Sequence, residues 1–310
     1  MCKITLLLET TKKNIIIGTR GSKLALWQAH YTQAELAKIG VTATLKIIKT
    51  KGDQIQHLGF DKIEGKGFFT KEIEDALLRG DVDMAVHSMK DLPTMAPPGL
   101  AITALSYRED PADWLVMNPK SEATDQVFNL KKNAIVGTSS ARRKAFLKDF
   151  RPDISLKDIR GNVPTRLEKL RSGDFDAILL AAAGLRRLEM NLSDFVVFKM
   201  NPKEFIPAPA QGVLAFQTNR DDRATRLLLK SLHHPSVSAV TNVERKILQL
   251  ADGGCHLPLG AYCTQDTNGH YHVWAAKADS ADGSVRRVRR SSSTSAGLAE
   301  QVFGELGSRV

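Results

Sequence analysis

Two stretches hold residues whose types and spacing could do chemistry. In "AVHSMKDLPT" (85–94), an apolar run through Met84–Val86 leads into His87, Ser88, Lys90 and Asp91, and Pro93 then ends regular structure. Polar groups at the carboxyl end of a buried parallel strand make a plausible site. A lysine–aspartate turn at the surface is the competing reading of the same residues. In "ADGGCHLPLGAYC" (251–263), Cys255 follows two glycines and is itself followed by His256, Pro258 and, eight positions on, Cys263. A metal site there would need further ligands at usable spacing, and no C-x2-C partner is present. His233, His234, His270 and His272 are the histidines that would have to be recruited. A free cysteine is often a buried apolar filler, although a loop between glycines and a proline gains least from one. A thiol on such a loop, facing cations, ionises readily and can attack a carbon electrophile.

Arginines recur at turns beside small polar residues. Arg142 and Arg143 follow Thr138, Ser139 and Ser140 in "GTSSARRKAFL", and Arg160 precedes Gly161 and Asn162 in "DIRGNVPTRLEKL". Arg166 follows Pro164 and Thr165, Arg20 and Ser22 stand in "GTRGS", and Arg187 comes after "AAAGL". A cation at a helix N-terminus opposes the macrodipole, so local structure gives little reason for it. An anionic ligand supplies one, because guanidinium forks bind carboxylate and phosphate through two parallel hydrogen bonds. Solvated helix starts are the alternative for each arginine alone, and that alternative weakens as the residues recur at matched turns. "GFDKIEGKGFFTKEIED" (59–75) adds Lys62 and Lys66 among three glycines, which fits a lid over a ligand or an ordinary surface loop.

The elements that must position these residues come in two similar sets. "IIIGTRGSKLALWQA" (15–29) and "AIVGTSSARRKAFL" (134–147) each read as an apolar strand, Gly-Thr, a serine at a helix start, then a helix. "LLRGDVDMAVHSM" (77–89) and "KLRSGDFDAILLA" (169–181) each read as a helix end, glycine, Asp-x-Asp and an apolar strand. Strands alternating with helices predict mostly parallel sheets with right-handed crossovers. Ligands of such sheets gather at the carboxyl ends of the strands, where helix N-termini offer unpaired N–H groups. The expected fold is therefore α/β: two similar α/β domains around a cleft, plus a small C-terminal α+β domain. The boundaries read as 14–106 with 212–230, then 112–204, then 233–310. The last domain is expected to hold an antiparallel hairpin around Thr267–Gly269 and a final amphipathic helix.

Composition bounds the rest. The chain has 310 residues, 42% hydrophobic and 25% charged, the profile of a soluble globular protein. No run approaches the ~18 apolar residues of a membrane span, and the start of the chain lacks a secretory pattern. Three cysteines is an odd, low number, which points to a reducing compartment such as the cytoplasm. The net charge of +10 suits polyanions. Its only dense run is "RRVRR" (286–290), and only 6% of residues are aromatic, so stacking platforms for nucleic acid are not favoured.

Taken together and in order, "TRGSKLALWQA", "TKGD", "KGFFTKEIE", "AVHSMKDLP", "GTSSARR", "RGNVPTRLEKL", "AAAGLRRL", "PAPAQG" and "DGGCHLPLGAY" make the chain resemble the porphobilinogen deaminase (hydroxymethylbilane synthase) family from about residue 14 to the end. The resemblance implies condensation of four porphobilinogens head to tail, with loss of ammonia, and hydrolytic release of hydroxymethylbilane. It implies a dipyrromethane cofactor on Cys255 through a thioether, held by Lys90, Ser139, Ser140, Arg142, Arg143, Arg160 and Gly161. Substrate carboxylates would meet Arg20, Ser22, Arg160, Arg166, Arg187, Lys62 and Lys66, and Asp91 would be the main catalytic group. A cytoplasmic monomer with no metal, nucleic-acid or membrane partner is expected. The rival class is a non-catalytic two-lobed anion-binding protein, which needs neither Asp91 nor Cys255. Ala210, Gln217, Thr218 and His256 depart from the commonest family pattern, where Ala210 is usually glycine and Gln217 or Thr218 acidic.

Overall fold

A computed structural model describes residues 14–50, 70–251, 257–280 and 284–307. They form two compact units. One contains residues 14–50, 70–108 and 213–238, and the other contains 109–212 and the described residues from 239 onward. Lys62, Lys66 and Cys255 lie outside the described residues.

The first unit is built on a five-stranded sheet. Strands β1 (Asn14–Thr19), β2 (Thr42–Ile47) and β3 (Met84–Ser88) pair in parallel, with β1 between the other two. β4 (Leu100–Arg108) closes the far edge, and β10 (Val213–Asn219) lies antiparallel between β3 and β4. Helix α1 (Lys23–Lys38) starts at Ser22, whose hydroxyl accepts from the Ala25 N–H. Such a cap stabilises a helix by about 1 kcal/mol. Helix α2 (Lys71–Arg79) ends at Gly80, which takes a left-handed φ of 75°. The core joins Ile15 and Ile17 to Leu36, Met84, Leu214 and Phe216.

The second unit repeats this plan. β6 (Ile135–Gly137), β7 (Ser155–Lys157) and β8 (Ala177–Ala181) pair in parallel with β6 in the middle. β5 (Asp113–Met117) runs antiparallel between β8 and β9 (Val196–Lys199). In each sheet the reversed strand is the one supplied by a stretch of chain arriving from the other unit's sequence. The Asp-x-Asp echo has a structural cause. Asp83 accepts from the Ile16 N–H of β1 (2.7 Å), and Asp176 accepts from the Ile135 N–H of β6 (2.8 Å). Each second aspartate thus ties its own turn to the neighbouring strand. The residue between each aspartate pair packs on the glycine of the Gly-Thr turn: a Cβ on Gly18 would meet Val82 at 3.1 Å, and one on Gly137 would meet Phe175 at 2.9 Å.

Helices α3 (Ala141–Phe150), α4 (Val163–Arg171) and α5 (Ala182–Arg187) follow β6, β7 and β8. The chain passes out of the first unit within α7 (Pro235–Leu250), after the short α6 (Arg223–Leu229). β11 (Leu259–Gln265), β12 (Tyr271–Ala278) and β13 (Val285–Ser292) then form an antiparallel sheet covered by α8 (Leu298–Gly307). One face of this sheet packs on Val243, Ile247 and Val302, while Trp274, Ala276 and Ala278 join Leu115, Phe146 and Phe205 in a shared core. The C-terminal sheet is therefore not isolated from the second five-stranded sheet.

The dense basic run lies on β13, the edge strand, where three of its four arginines are in ion pairs and Arg289 lies over the Trp274 ring. Arg286 meets Asp279 (2.9 Å), Arg287 meets Asp149 (2.7 Å) and Arg290 meets Glu305. A surface spread of individual ion pairs leaves no continuous basic track there. Among the described residues no helix is long and apolar enough to cross a membrane.

Candidate anion site and catalytic turn

In the first unit, Arg20 and Asp91 follow the carboxyl ends of the paired strands β1 and β3. Asp91 closes a short 3-10 turn, Met89–Asp91, and its side chain is exposed. Buried Met89 and Leu92, each 3% exposed, anchor the turn on either side, and Lys90 is half-buried. The exposed carboxylate is thus presented by its neighbours' packing.

Behind this turn lies a buried polar relay. The His87 Nε2 faces the Gln217 Oε1 at 3.1 Å, and the Gln217 Nε2 donates to the Glu74 Oε1 at 3.2 Å. The Gln217 amide oxygen suits a neutral imidazole. Burial is the main cause of a pKa for His87 lowered from 6.5 to about 4; the Gln217 hydrogen bond opposes the shift and the nearby Arg20 charge adds to it. His87 is therefore neutral at neutral pH and supplies no cation to the site.

That shift makes stability pH-dependent. The unfolded chain takes up the histidine proton near 6.5 and the folded one only near 4, so stability is full above the first value and falls as pH drops through the window to the second. At 1.36 kcal/mol per unit, this one group accounts for roughly 3 kcal/mol. Urea midpoints measured across that window should fall with pH in the wild type and fall distinctly less in His87→Gln. An equal slope in both proteins would remove His87 as the cause.

The second unit gathers the cations. Ser140 caps α3, its hydroxyl accepting from the Arg143 N–H. The Ser139 hydroxyl donates to the Ile159 carbonyl (3.0 Å) and accepts from the Ile159 N–H (3.1 Å), so it splices the Gly-Thr-Ser turn to the segment carrying Arg160. Both serines, expected as cofactor contacts, have hydroxyls engaged with backbone and shape the site through it. Gly161 has φ 110°, and a Cβ there would meet Thr165 at 2.7 Å, so this turn requires glycine. Asn162 then caps α4, on which the Arg166 Nε donates to the Gly161 carbonyl (2.8 Å).

Burial pulls Arg166 down to about 10, and the charges of Arg143 and Arg160 pull the same way. The charges of three guanidinia thus act on one another here. The Arg143 Nε is buried with no hydrogen-bond partner among the described residues. A buried donor left so costs about 1–3 kcal/mol until an acceptor arrives. An anion with carboxylate oxygens would relieve both the repulsion and the orphaned donor.

Arg142 and Arg187 are buried and are engaged by the fold itself. Arg142, 4% exposed, pairs with Asp113 (2.8 Å), donates to the Ile206 carbonyl (2.9 Å) and lies over the Phe146 and Phe205 rings. Arg187, 5% exposed, donates to the Gly212 carbonyl (2.6 Å) and holds the end of "PAPAQG". Both satisfy buried acceptors far along the chain, a role that local sequence does not reveal. Asp113 belongs to none of the motifs above. The signal for it is an acid heading the otherwise apolar run "DWLVM", every residue of which is buried.

Comparisons with known proteins establish the family. The model described as "Porphobilinogen deaminase, dipyromethane cofactor binding domain" matches residues 15–227. The chain belongs to the porphobilinogen deaminase family. It is 41% identical over 303 residues to the porphobilinogen deaminase of Chlorobium phaeovibrioides, covering 96% of this chain and 95% of that one. The corresponding protein of Chloroherpeton thalassium is 43% identical over 301 residues, covering 95% of this chain and 93% of the other. Among solved structures, a probable amino-acid transporter extracellular-binding protein of Bacillus subtilis covers 78% of this chain and 97% of its own, at 14% identity and a TM-score of 0.45. In this chain Ala210 takes a left-handed backbone conformation without being glycine. It has φ 60°, is fully buried, and donates its N–H to the Glu244 Oε2 (2.7 Å).

Proposed function

We propose that this chain joins four porphobilinogens head to tail on a dipyrromethane primer, losing one ammonia at each addition, and frees hydroxymethylbilane by hydrolysis. The observation that carries this reading is the crowding of Arg143, Arg160 and Arg166 around an orphaned guanidinium donor. Those residues fit a primer with acetate and propionate groups on each ring. When bound, the primer supplies a nucleophilic pyrrole carbon at its free end. Arg143, Arg160 and Arg166 hold its carboxylates or those of the growing chain, and Arg20, Lys90, Lys62 and Lys66 add cations for incoming substrate.

Asp91 is the group that acts on the reacting atoms. Loss of ammonia leaves positive charge on the aminomethyl carbon and its pyrrole ring, and a carboxylate near the pyrrole N–H steadies that charge as it develops. Cys255 is the tether. The other nearby thiol in sequence, Cys263, is 1% exposed in β11 and its N–H is bound by Glu244 (2.8 Å). A sulfur so enclosed is a poor point of attachment, which supports Cys255. The reading includes a cytoplasmic monomer that needs neither nucleic acid nor a membrane.

The intact mass of the purified protein tests this directly. An increment equal to two pyrroles, mapped by peptide analysis to Cys255 and lost in Cys255→Ser, is the expected result. An unmodified chain that stays inactive after incubation with porphobilinogen would replace the enzyme with a passive anion-binding protein.

A further inference from the structure

Asp113 is the first residue of β5 and is wholly buried. Its two oxygens meet different guanidinia: Oδ2 lies 2.8 Å from the Arg142 Nη2 and Oδ1 lies 2.7 Å from the Arg143 Nη2. Oδ1 also accepts from the Gln211 Nε2 (2.8 Å), which donates in addition to the Pro111 carbonyl (2.8 Å). Burial opposes the Asp113 charge, yet Arg142, Arg143 and Gln211 hold its carboxyl well below the usual carboxylate range. One carboxylate between two guanidinia leaves a net single positive charge.

The two arginines differ in what remains open to a ligand. Arg142 is closed in by Asp113, the Ile206 carbonyl and two phenyl rings. Arg143 has its Nη1 on the Leu179 carbonyl (3.0 Å) and its Nη2 on Asp113, so Nε is the edge left without a partner among the described residues. That guanidinium is also one of the two charges acting on Arg166. Asp113 therefore decides which edge of Arg143 is offered and cancels one of the two positive charges behind it.

We propose that Asp113, held by Gln211, is a positioning residue that aims the Nε edge of Arg143 at the carboxylates of the bound pyrrole chain. The inference rests on the assignment of Arg143 to the anion site. Arg142 neutralises and braces the clamp, and Gln211 links it to the "PAPAQG" segment. A planar fork fixed at two nitrogens presents the third in a single direction, which a freely rotating arginine cannot do.

A double-mutant cycle on the holoenzyme tests it, with Asp113→Asn, Arg143→Lys and the double variant assayed for KM and kcat, beside urea midpoints. Asp113→Asn is expected to raise KM for porphobilinogen about tenfold with kcat changed far less, the loss expected of one charge-assisted hydrogen bond. The effect should largely vanish in the Arg143→Lys background, where no fork remains to aim. Gln211→Leu, a milder change, should raise KM in the same direction and serves if Asp113→Asn fails to fold. If Asp113→Asn and Gln211→Leu lower the urea midpoint but leave KM unchanged, or if the KM effects add independently, the clamp is structural only and the proposal is wrong. If Arg143→Lys alone leaves KM, kcat and the primer mass unchanged, the assignment of Arg143 to the anion site fails instead.

Discussion

Asp91→Ala is expected to lower turnover by roughly two to three orders of magnitude while the protein stays folded, which corresponds to about 2.7–4 kcal/mol of lost transition-state stabilisation. The separation of the two effects follows from the turn itself. Met89 and Leu92 are buried and hold it, whereas the Asp91 side chain is exposed. The positive charge that Asp91 meets exists only as the carbon–nitrogen bond breaks, so kcat and kcat/KM should fall together. Asp91→Asn, which keeps the shape and removes the charge, should be nearly as slow. Rate measurements with porphobilinogen, alongside unchanged urea midpoints and an unchanged primer mass, would establish the point. Near-normal turnover in Asp91→Ala would refute the assignment.

Arg142→Ala is expected to act on stability. Removing one member of a buried ion pair leaves the remaining charge under-compensated and costs about 3–5 kcal/mol. Here the loss also strips a guanidinium from the Ile206 carbonyl and from the Phe146 and Phe205 rings. Arg166→Ala should behave in the opposite way, because Arg166 is depressed by burial and by its arginine neighbours. It should cost little stability and weaken binding of the carboxylated ligand. Urea denaturation and KM measured on the two variants side by side will separate the roles. If Arg142→Ala keeps its midpoint and shifts only KM, Arg142 is a ligand group after all.

Much of the molecule was already set by residue order. Gly18 and Gly137, the serine caps at 22 and 140, and the aspartates at 83 and 176 act within a few residues or between adjacent strands, so the doubled plan showed in the sequence as an echo. The helix starts that carry Arg20, Arg143 and Arg166 were likewise marked by their own caps and glycine turns. Motif resemblance then named the chemistry that such a spread of cations could serve.

Tertiary structure decided which cations are available to a ligand. Arg142 and Arg143 are adjacent in sequence and have the same local signal, yet one is enclosed and the other keeps an open donor. The difference comes from Asp113, 30 positions from Arg143, and from Gln211, 98 positions from Asp113. The reversal of β5 and β10 within their sheets, and the core shared by the C-terminal sheet with Leu115 and Phe146, are long-range in the same way. Caps and turns are set by backbone geometry over a few bonds, so residue order specifies them. The partner of a buried charge depends on which distant segments exclude water from it, and only the folded chain determines that.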